Sequence, residues 1–217
     1  MKNISINLFR IDELADQAKE FAVENNREIN TYFGWWDSDY EHFVTLCKVM
    51  GIDINPRKIY FKGFYSQGDG SCFESTIEIL DLINGIKKQS WKEYAPNLTI
   101  ANCTVPQRIL RLIEQQLIEV DIWTETSHRY YFLHYHFRDT INGTSERAYP
   151  HIEEELLKLD KWAKRTLEIL NQYLYKTLES TYEYLMSDTA ITDTFQADDY
   201  LFTEDGRKAN RLLDLAN

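Results

Sequence analysis

Apolar residues recur at helical spacing in two segments near the start of the chain. The first segment, residues 11–29, carries acidic side chains in its opening turn, where the positive end of a helix dipole favours anions. The second begins with a capping-box pattern at Ser38 and Glu41, and Gly51 supplies the stop. The pattern therefore predicts one helix over residues 11–29 and a second helix between Ser38 and Gly51.

Strand patterns come in two pairs. Residues 57–66 and 72–80 are rich in aromatic and β-branched side chains, and the Gly-Asp-Gly between them permits positive φ. These two segments predict a β-hairpin. Residues 117–125 and 129–138 alternate apolar and polar positions and predict two further strands.

Three more helices are expected. One covers residues 81–94, and the next is capped by Thr104 and Gln107. The third is much longer, because apolar residues advance by threes and fours over residues 152–186, which corresponds to roughly 50 Å of helix. Either this helix packs along the sheet of its own chain, which we favour, or its end pairs with a second copy in a homodimer.

Together these patterns predict an α+β fold, with an antiparallel sheet of about four strands packed by several helices and one long C-terminal amphipathic helix. The 217 residues fit one domain with a substantial core, so we expect a single domain over residues 1–217. The acidic C-terminal segment, residues 187–217, contains a strand candidate at residues 200–202 and a helix candidate near residues 207–215.

Alternation assigns the side chains of the predicted sheet to two faces. The face expected to form the core comprises Phe73, Ile77, Ile79, Ile118, Val120, Ile122, Leu133, Tyr135 and Phe137. The opposite face comprises Cys72, Glu74, Thr76, Glu78, Glu119, Asp121, Trp123, Tyr130, Phe132, His134, His136 and Arg138. The simpler interpretation of this mixed face is a solvated surface with cross-strand ion pairs.

A binding surface or a metal site on that face is the alternative. His134 and His136 could ligate one ion together with Glu74 or Asp121. No recognised metal-binding motif supports such a site, so we predict neither a metal nor a cofactor.

The segment FKGFYSQGDGSCFEST, residues 61–76, concentrates glycine and polar residues between two aromatic runs. It lacks the lysine of a phosphate-binding P-loop and the glycine spacing of a dinucleotide site, so a turn is the preferred interpretation. The alternative is an enzyme, or a binder of a small molecule or nucleotide, that uses this hairpin and the histidine strand. Its catalytic residues would be Asp69, Cys72 and His134, and Gln67, Asp69 and Glu74 would bind.

The chain is strongly acidic, with a formal net charge of −11 and a sequence pI near 4.9. Binding to a nucleic-acid backbone needs clustered lysine and arginine, so no direct nucleic-acid binding is expected. Residues 11–45 contain nine acids against two bases, and residues 187–205 contain six acids and no base. These acids form either a solvated surface or a surface that occupies a positively charged groove on a partner protein.

For the partner interpretation, the binding residues are drawn from the acidic stretches and from the segment GWWDS. The paired tryptophans of that segment are typical of core plugs and also of binding anchors. The predicted binding residues outside the hairpin are Asp12, Asp16, Glu20, Trp35, Trp36, Asp37, Asp198 and Asp199.

The expected location of the protein and the redox state of its cysteines follow from the absence of three sequence features: a signal peptide, a membrane span and a Cys-x-x-Cys pair. The opening MKNISINLFRIDELADQ has no apolar core of a signal peptide, and no run approaches the roughly 18 apolar residues of a membrane span. We therefore expect a cytoplasmic protein with no membrane contact. The three cysteines form no Cys-x-x-Cys pair, so reduced thiols are expected instead of disulfides or a zinc site.

The stretches WWDSDYEHF, IYFKGFYSQGDGSCFE, EYAP and YEYLMSD with YLFTEDGRK resemble an uncharacterised family of proteins from phages, prophages and bacterial genomes. The resemblance covers about residues 10–208 and implies no catalytic residue. Some members of the family are labelled antitoxins. The motif positions are Trp35, Trp36, Asp37, Ser38, Tyr40, Gly63, Phe64, Ser66, Gln67, Gly68, Asp69, Gly70, Cys72 and Phe73.

The resemblance implies an accessory gene of a mobile element, in conflict between phage and host. We accordingly expect a non-enzymatic protein that binds and inhibits a host defence protein or a nucleic-acid-handling protein, as an anti-CRISPR-like inhibitor or nucleic-acid mimic would. The host cytoplasm would then be its location. The alternatives are the enzyme or small-molecule binder described above and an antitoxin-like partner of a toxin.

Overall fold

The computed structural model describes residues 6–127, 130–142 and 149–209. A short 3₁₀ helix, Ile11–Glu13, precedes the first α-helix, and another, Ser90–Glu93, follows the third. The α-helices are α1 Asp16–Glu24, α2 Asp37–Lys48, α3 Ile79–Lys88, α4 Gln107–Glu114, α5 Pro150–Leu185 and α6 Asp188–Ala197. The strands are β1 Ile52–Lys62, β2 Gly70–Ile77, β3 Ile118–Ser127 and β4 Tyr130–Ile141.

The four strands form one antiparallel sheet in the order β1-β2-β3-β4. This confirms the predicted α+β fold and the hairpin, whose loop is longer than the Gly-Asp-Gly that predicted it. The β1–β2 register shifts between Ile54 and Ile59, so four residues of β1 bulge out beside β2. Strand β1 lies at one edge of the sheet and β4 at the other.

The apolar face of the sheet is largely as predicted. Phe73, Ile77, Ile118 and Ile122 are buried. Val120, Leu133, Tyr135 and Phe137 are half-buried. Ile79 is also buried, but it begins α3 and does not extend β2. The opposite face is not solvated along its whole length, because Cys72, which alternates with the buried Ser71 and Phe73, is itself fully buried across from Tyr60 of β1.

Helix α5 lies along the apolar face. Its stripe of Leu156, Leu159, Ala163, Leu167, Leu170, Leu174 and Leu178 is buried within the chain, as the preferred interpretation of the long helix requires. The amide of Asn171 donates to the carbonyl of Ser71 at 2.9 Å, and the hydroxyl of Ser71 donates back to Asn171 Oδ1 at 2.9 Å. The hydroxyl of Tyr135 donates to the carbonyl of Asp160 at 3.3 Å. These bonds join α5 to β2 and β4.

The first predicted helix is shorter than expected. Leu14 and Ala15 have extended backbones and separate the 3₁₀ helix from α1, and the side chain of Leu14 is buried in the same core as those of Ile11 and Ala18. At the other end, the side-chain amides of Asn25 and Asn26 donate to the carbonyls of Phe21 and Ala22 and close the helix.

Three other local predictions differ from the structure. Helix α2 begins at Asp37, so Ser38 lies inside the first turn and does not cap it. The N-cap of α4 is Pro106, not Thr104. In the acidic C-terminal segment the structure contains α6, which was not predicted from the sequence. Ser187 caps this helix, because its hydroxyl accepts a hydrogen bond from Ala190 N–H.

The last described residues form isolated β-bridges and a turn. Phe202 pairs with Phe9 and with Lys208, in place of the predicted strand at residues 200–202. Residues 207–209 are not helical, and residues 210–215 of the predicted terminal helix lie outside the described residues. No helix in the described ranges is long and apolar enough to cross a membrane.

The chain forms two compact units. The sheet unit comprises residues 37–178, and the terminal unit comprises residues 1–36 and 179–217. The terminal unit has its own core, made of Ile11, Leu14, Ala18, Ala22, Val23, Ile191, Phe195 and Phe202. Whether the two units make up one domain, as expected from the length, stays a prediction.

Candidate functional site

Acidic residues are concentrated in the terminal unit. Its described residues include fourteen aspartates and glutamates against five lysines and arginines. The predicted binding residues Asp12, Asp16, Glu20, Asp198 and Asp199 all lie in this unit, and all are exposed. The sequence therefore identified a set of carboxylates that solvent, or a partner, can reach.

Some of these carboxylates lie together. A small cleft of about 180 Å³ is lined by Asp12 and Asp199, together with Arg10, Phe195 and Tyr200. Arg10 forms an ion pair with Asp199, with 3.1 Å between Nη2 and Oδ1. Asp16 and Glu20 do not line this cleft; they lie on the exposed side of α1.

The terminal unit also exposes aromatic side chains. Phe33 is 90% exposed and Tyr32 is 67% exposed, and both lie in the loop between α1 and α2. Gly34, which follows them, has a left-handed φ of 38° that favours glycine. Phe33 and Tyr32 were not among the binding residues predicted from the sequence. Their position directly before Gly34, in a loop, is the feature that could have indicated them, because aromatic residues are common binding anchors.

The paired tryptophans support this loop. Trp35 contacts Trp36 edge to face with 5.7 Å between ring centroids, and it also contacts Tyr182 of α5 at 5.7 Å. Both tryptophans are half-buried. These contacts hold the loop in place, while the neighbouring Phe33 and Tyr32 are exposed to solvent. Binding of a partner by the tryptophans stays a prediction.

The other predicted site lies in the sheet unit, where Asp69 closes the hairpin loop. Its Oδ2 accepts hydrogen bonds from the N–H groups of Tyr65 at 3.0 Å and Ser66 at 2.6 Å. Gly63 has a φ of 49°, and a Cβ at that position would lie 2.6 Å from Asp69 Oδ2. Asp69 thus holds the turn, and Gln67 at its tip is exposed.

Cys72 and His134, the nucleophile and base of the alternative enzyme site, differ in exposure. Cys72 is fully buried, whereas His134 is exposed on the edge strand, where it pairs with Glu125 in the β3–β4 register. Near this cysteine, burial raises the pKa of Tyr40, with smaller contributions from Cys72 and Asp37, so its phenol stays protonated.

The rest of the polar face carries ion pairs, as its simpler interpretation predicted. Arg138 pairs with Asp121 at 2.5 Å, and Lys58 pairs with Glu74 at 3.7 Å. Within the described part of the chain, no group of three or more histidines, cysteines, aspartates or glutamates is placed to hold a metal ion. Asp37, the remaining predicted binding residue, is the exposed first residue of α2.

No curated protein and no solved structure matches the chain. One family does match over residues 35–188, a span that includes all four strands and helices α2 to α5. The chain therefore belongs to the family described as a domain of unknown function, DUF8835.

Proposed function

We propose that this chain is a non-enzymatic binding protein whose terminal unit attaches to a positively charged surface of a partner protein and blocks it. The observation that carries the proposal is the exposure of Phe33 and Tyr32 on a unit in which acids outnumber bases by fourteen to five. Exposed aromatic anchors supply contact area, and surrounding carboxylates supply charge complementarity to a basic partner.

The partner class follows from this chemistry. Proteins that handle nucleic acid present grooves rich in lysine and arginine, and an acidic surface can occupy such a groove and keep nucleic acid out. The resemblance to phage and prophage proteins favours a host defence or nucleic-acid-handling protein as the partner, bound in the host cytoplasm. A toxin, the partner in the antitoxin alternative, would use the same surface if its active site were basic.

Affinity capture tests the proposal. The tagged chain is incubated with nuclease-treated lysate of the producing bacterium, and bound proteins are identified by mass spectrometry. We expect a stoichiometric partner with a basic surface whose retention falls as salt is raised, because exposed charge pairs are screened. The same partner should be lost with Phe33→Ala and with the double charge reversal Asp12→Lys, Asp16→Lys.

Two controls make the result specific. Tyr65→Ser removes another exposed aromatic side chain, 72% exposed, from the hairpin loop of the sheet unit and should leave capture unchanged. An unrelated acidic protein of similar net charge shows which proteins bind to charge alone. A partner retained equally by the terminal-unit variants, or by the acidic control protein, would contradict the proposal.

A further inference from the structure

The polar face of the sheet contains an open cleft of about 890 Å³ beside the bulge of β1. The strand registers place Asp53, Thr76, Trp123 and His136 in one row across all four strands. Thr76 is much smaller than the indole beside it, and the adjacent bulge carries β1 out of regular pairing. The cleft therefore opens between Asp53 on one side and Trp123 on the other.

Trp123 is held in one orientation. Its ring stacks on the imidazole of His136, with 4.9 Å between centroids and 11° between planes. Its indole N–H donates to Glu125 Oε1 at 3.0 Å, and the other oxygen of Glu125 lies 3.5 Å from His136 Nε2. Because His136 covers one face of the indole, the opposite face is the one that looks over Thr76 into the cleft.

The cleft has a negative charge. Three carboxylates line it, those of Asp53, Glu74 and Glu125, against the single ammonium group of Lys58. Lys58 pairs with Glu74, and Glu125 is engaged by Trp123, so both of these carboxylates are partly compensated. The exposed side chain of Asp53 makes no hydrogen bond or ion pair with any residue in the described ranges.

We propose that this cleft binds a guanidinium group, with its plane against the indole of Trp123 and its N–H groups directed at Asp53 and Glu74. A guanidinium ion is planar, stacks on aromatic faces and donates in a fork that matches a carboxylate. A fixed indole face with carboxylates on the facing side of the cleft supplies both contacts at once. The site lies wholly within the sheet unit and does not depend on the proposed function of the terminal unit.

The indole N–H resonance of Trp123 in a two-dimensional ¹H–¹⁵N spectrum gives a direct readout. It is assigned by its disappearance in Trp123→Phe and followed during titration with N-acetyl-arginine amide, free arginine and N-acetyl-lysine amide. We expect a saturable shift with N-acetyl-arginine amide and weaker binding of the lysine compound, which cannot stack. Saturation by free arginine as well would indicate a free small molecule as the source of the guanidinium group, and its absence would indicate a peptide.

Variants separate the site from general charge attraction. Asp53→Asn should weaken binding about threefold or more, and Trp123→Leu, followed by calorimetry, about fivefold or more. Asp139→Asn removes an exposed carboxylate from β4 outside the cleft and should leave the affinity unchanged. The proposal is overturned if the shift does not saturate, if Asp139→Asn weakens binding as much as Asp53→Asn, or if a neutral sugar produces the same saturable shift.

Discussion

At the scale of single residues, Asp69 has a structural role in the loop that joins β1 and β2. One carboxylate oxygen accepts two backbone N–H groups, and the hydroxyl of Tyr175 donates to the carbonyl of Gly63 at 3.0 Å in the same loop. Asp69→Ala leaves both N–H groups to water, so we expect the free energy of unfolding to fall by about 1 kcal/mol. Urea unfolding followed by circular dichroism measures the change.

The neighbouring Gln67→Ala is the matched control for this substitution. Gln67 is exposed and makes no side-chain hydrogen bond with the described residues, so its loss should change stability by less than about 0.5 kcal/mol. Equal stability of the Asp69→Ala and Gln67→Ala proteins would show that the carboxylate does not hold the loop.

The three cysteines differ in burial, which predicts how fast each reacts with a thiol reagent. Cys47 and Cys72 are buried, while Cys103 is half-buried, and burial raises its pKa although a hydrogen bond from the backbone of Val105 lowers it. Since the thiolate is the reactive form, a raised pKa means slow labelling that accelerates as the pH rises. With a thiol reagent we expect one reactive cysteine in the folded protein and all three after unfolding.

Single-cysteine variants identify the reactive thiol. Cys103→Ala should abolish labelling of the folded chain, whereas Cys47→Ala should leave it unchanged. Rapid labelling of Cys72 in the folded protein would restore the nucleophile interpretation, because that chemistry requires an accessible thiolate.

At the scale of elements, the buried stripe of the long helix α5 can be tested by one substitution. Leu167 is fully buried, and truncation to alanine leaves a cavity between α5 and its neighbours. We expect Leu167→Ala to lower the free energy of unfolding by about 2 to 5 kcal/mol. Leu157 is on the same helix but is 50% exposed, so Leu157→Ala should lower the free energy of unfolding by less than about 1 kcal/mol. Similar costs for the two variants, measured by urea unfolding, would mean that the buried stripe does not anchor the helix.

Elements with long periodic patterns could be predicted from the sequence. The stripe of α5 repeats over about six turns, and β3 and β4 alternate over much of their length, so their patterns predict both kinds of element. Short elements depended on tertiary contacts that no local pattern contains. The break in the helical pattern at Leu14 lies in a core shared with Phe202, nearly 190 residues later, which no local pattern reveals. Helix α6 likewise buries only Ala190, Ile191 and Phe195, too few to stand out in an acidic segment.

The candidate sites, too, could be predicted from the sequence only where they did not depend on tertiary contacts. The acidic residues could be identified because charge is read directly from composition, and they are exposed as expected. The burial of Cys72 was not predicted, because alternation assumes that one face of the strand is exposed to water, and this end of the hairpin is covered on both sides. The guanidinium cleft could not be predicted, because it depends on the β1–β2 and β2–β3 registers and on the bulge after Ile54.

At the scale of the whole molecule, charge and family membership divide the chain in a similar way. Counted over the full sequence, the terminal unit carries −8 of the net charge of −11, although it holds 75 of the 217 residues. The family match covers the whole sheet unit and only those parts of the terminal unit that border it. The acidic residues Asp12, Asp16, Glu20, Asp198 and Asp199 lie outside the matched span.

The sheet unit, residues 37–178, lies entirely within the matched span, residues 35–188. The two matched residues before it, Trp35 and Trp36, and the ten after it, residues 179–188, belong to the terminal unit. The family match therefore describes the sheet and its helices in full, and it reaches the terminal unit only at the tryptophan pair, the end of α5 and the start of α6.

The two units have separate cores, and this predicts local loss of structure when one core is damaged. Phe202 is fully buried in the terminal unit, with its ring centroid 4.9 Å from that of Phe195, so Phe202→Ala should cost about 3 to 5 kcal/mol there. Hydrogen exchange followed by mass spectrometry should show faster exchange in α1 and α6 and unchanged protection in β2 and β3. Phe73 is fully buried in the sheet unit, with its ring centroid 5.2 Å from that of Phe43, so Phe73→Ala should have the opposite effect. If either substitution accelerates exchange equally in both sets of elements, the chain unfolds as one cooperative body, and the single domain expected from its length would be the better description.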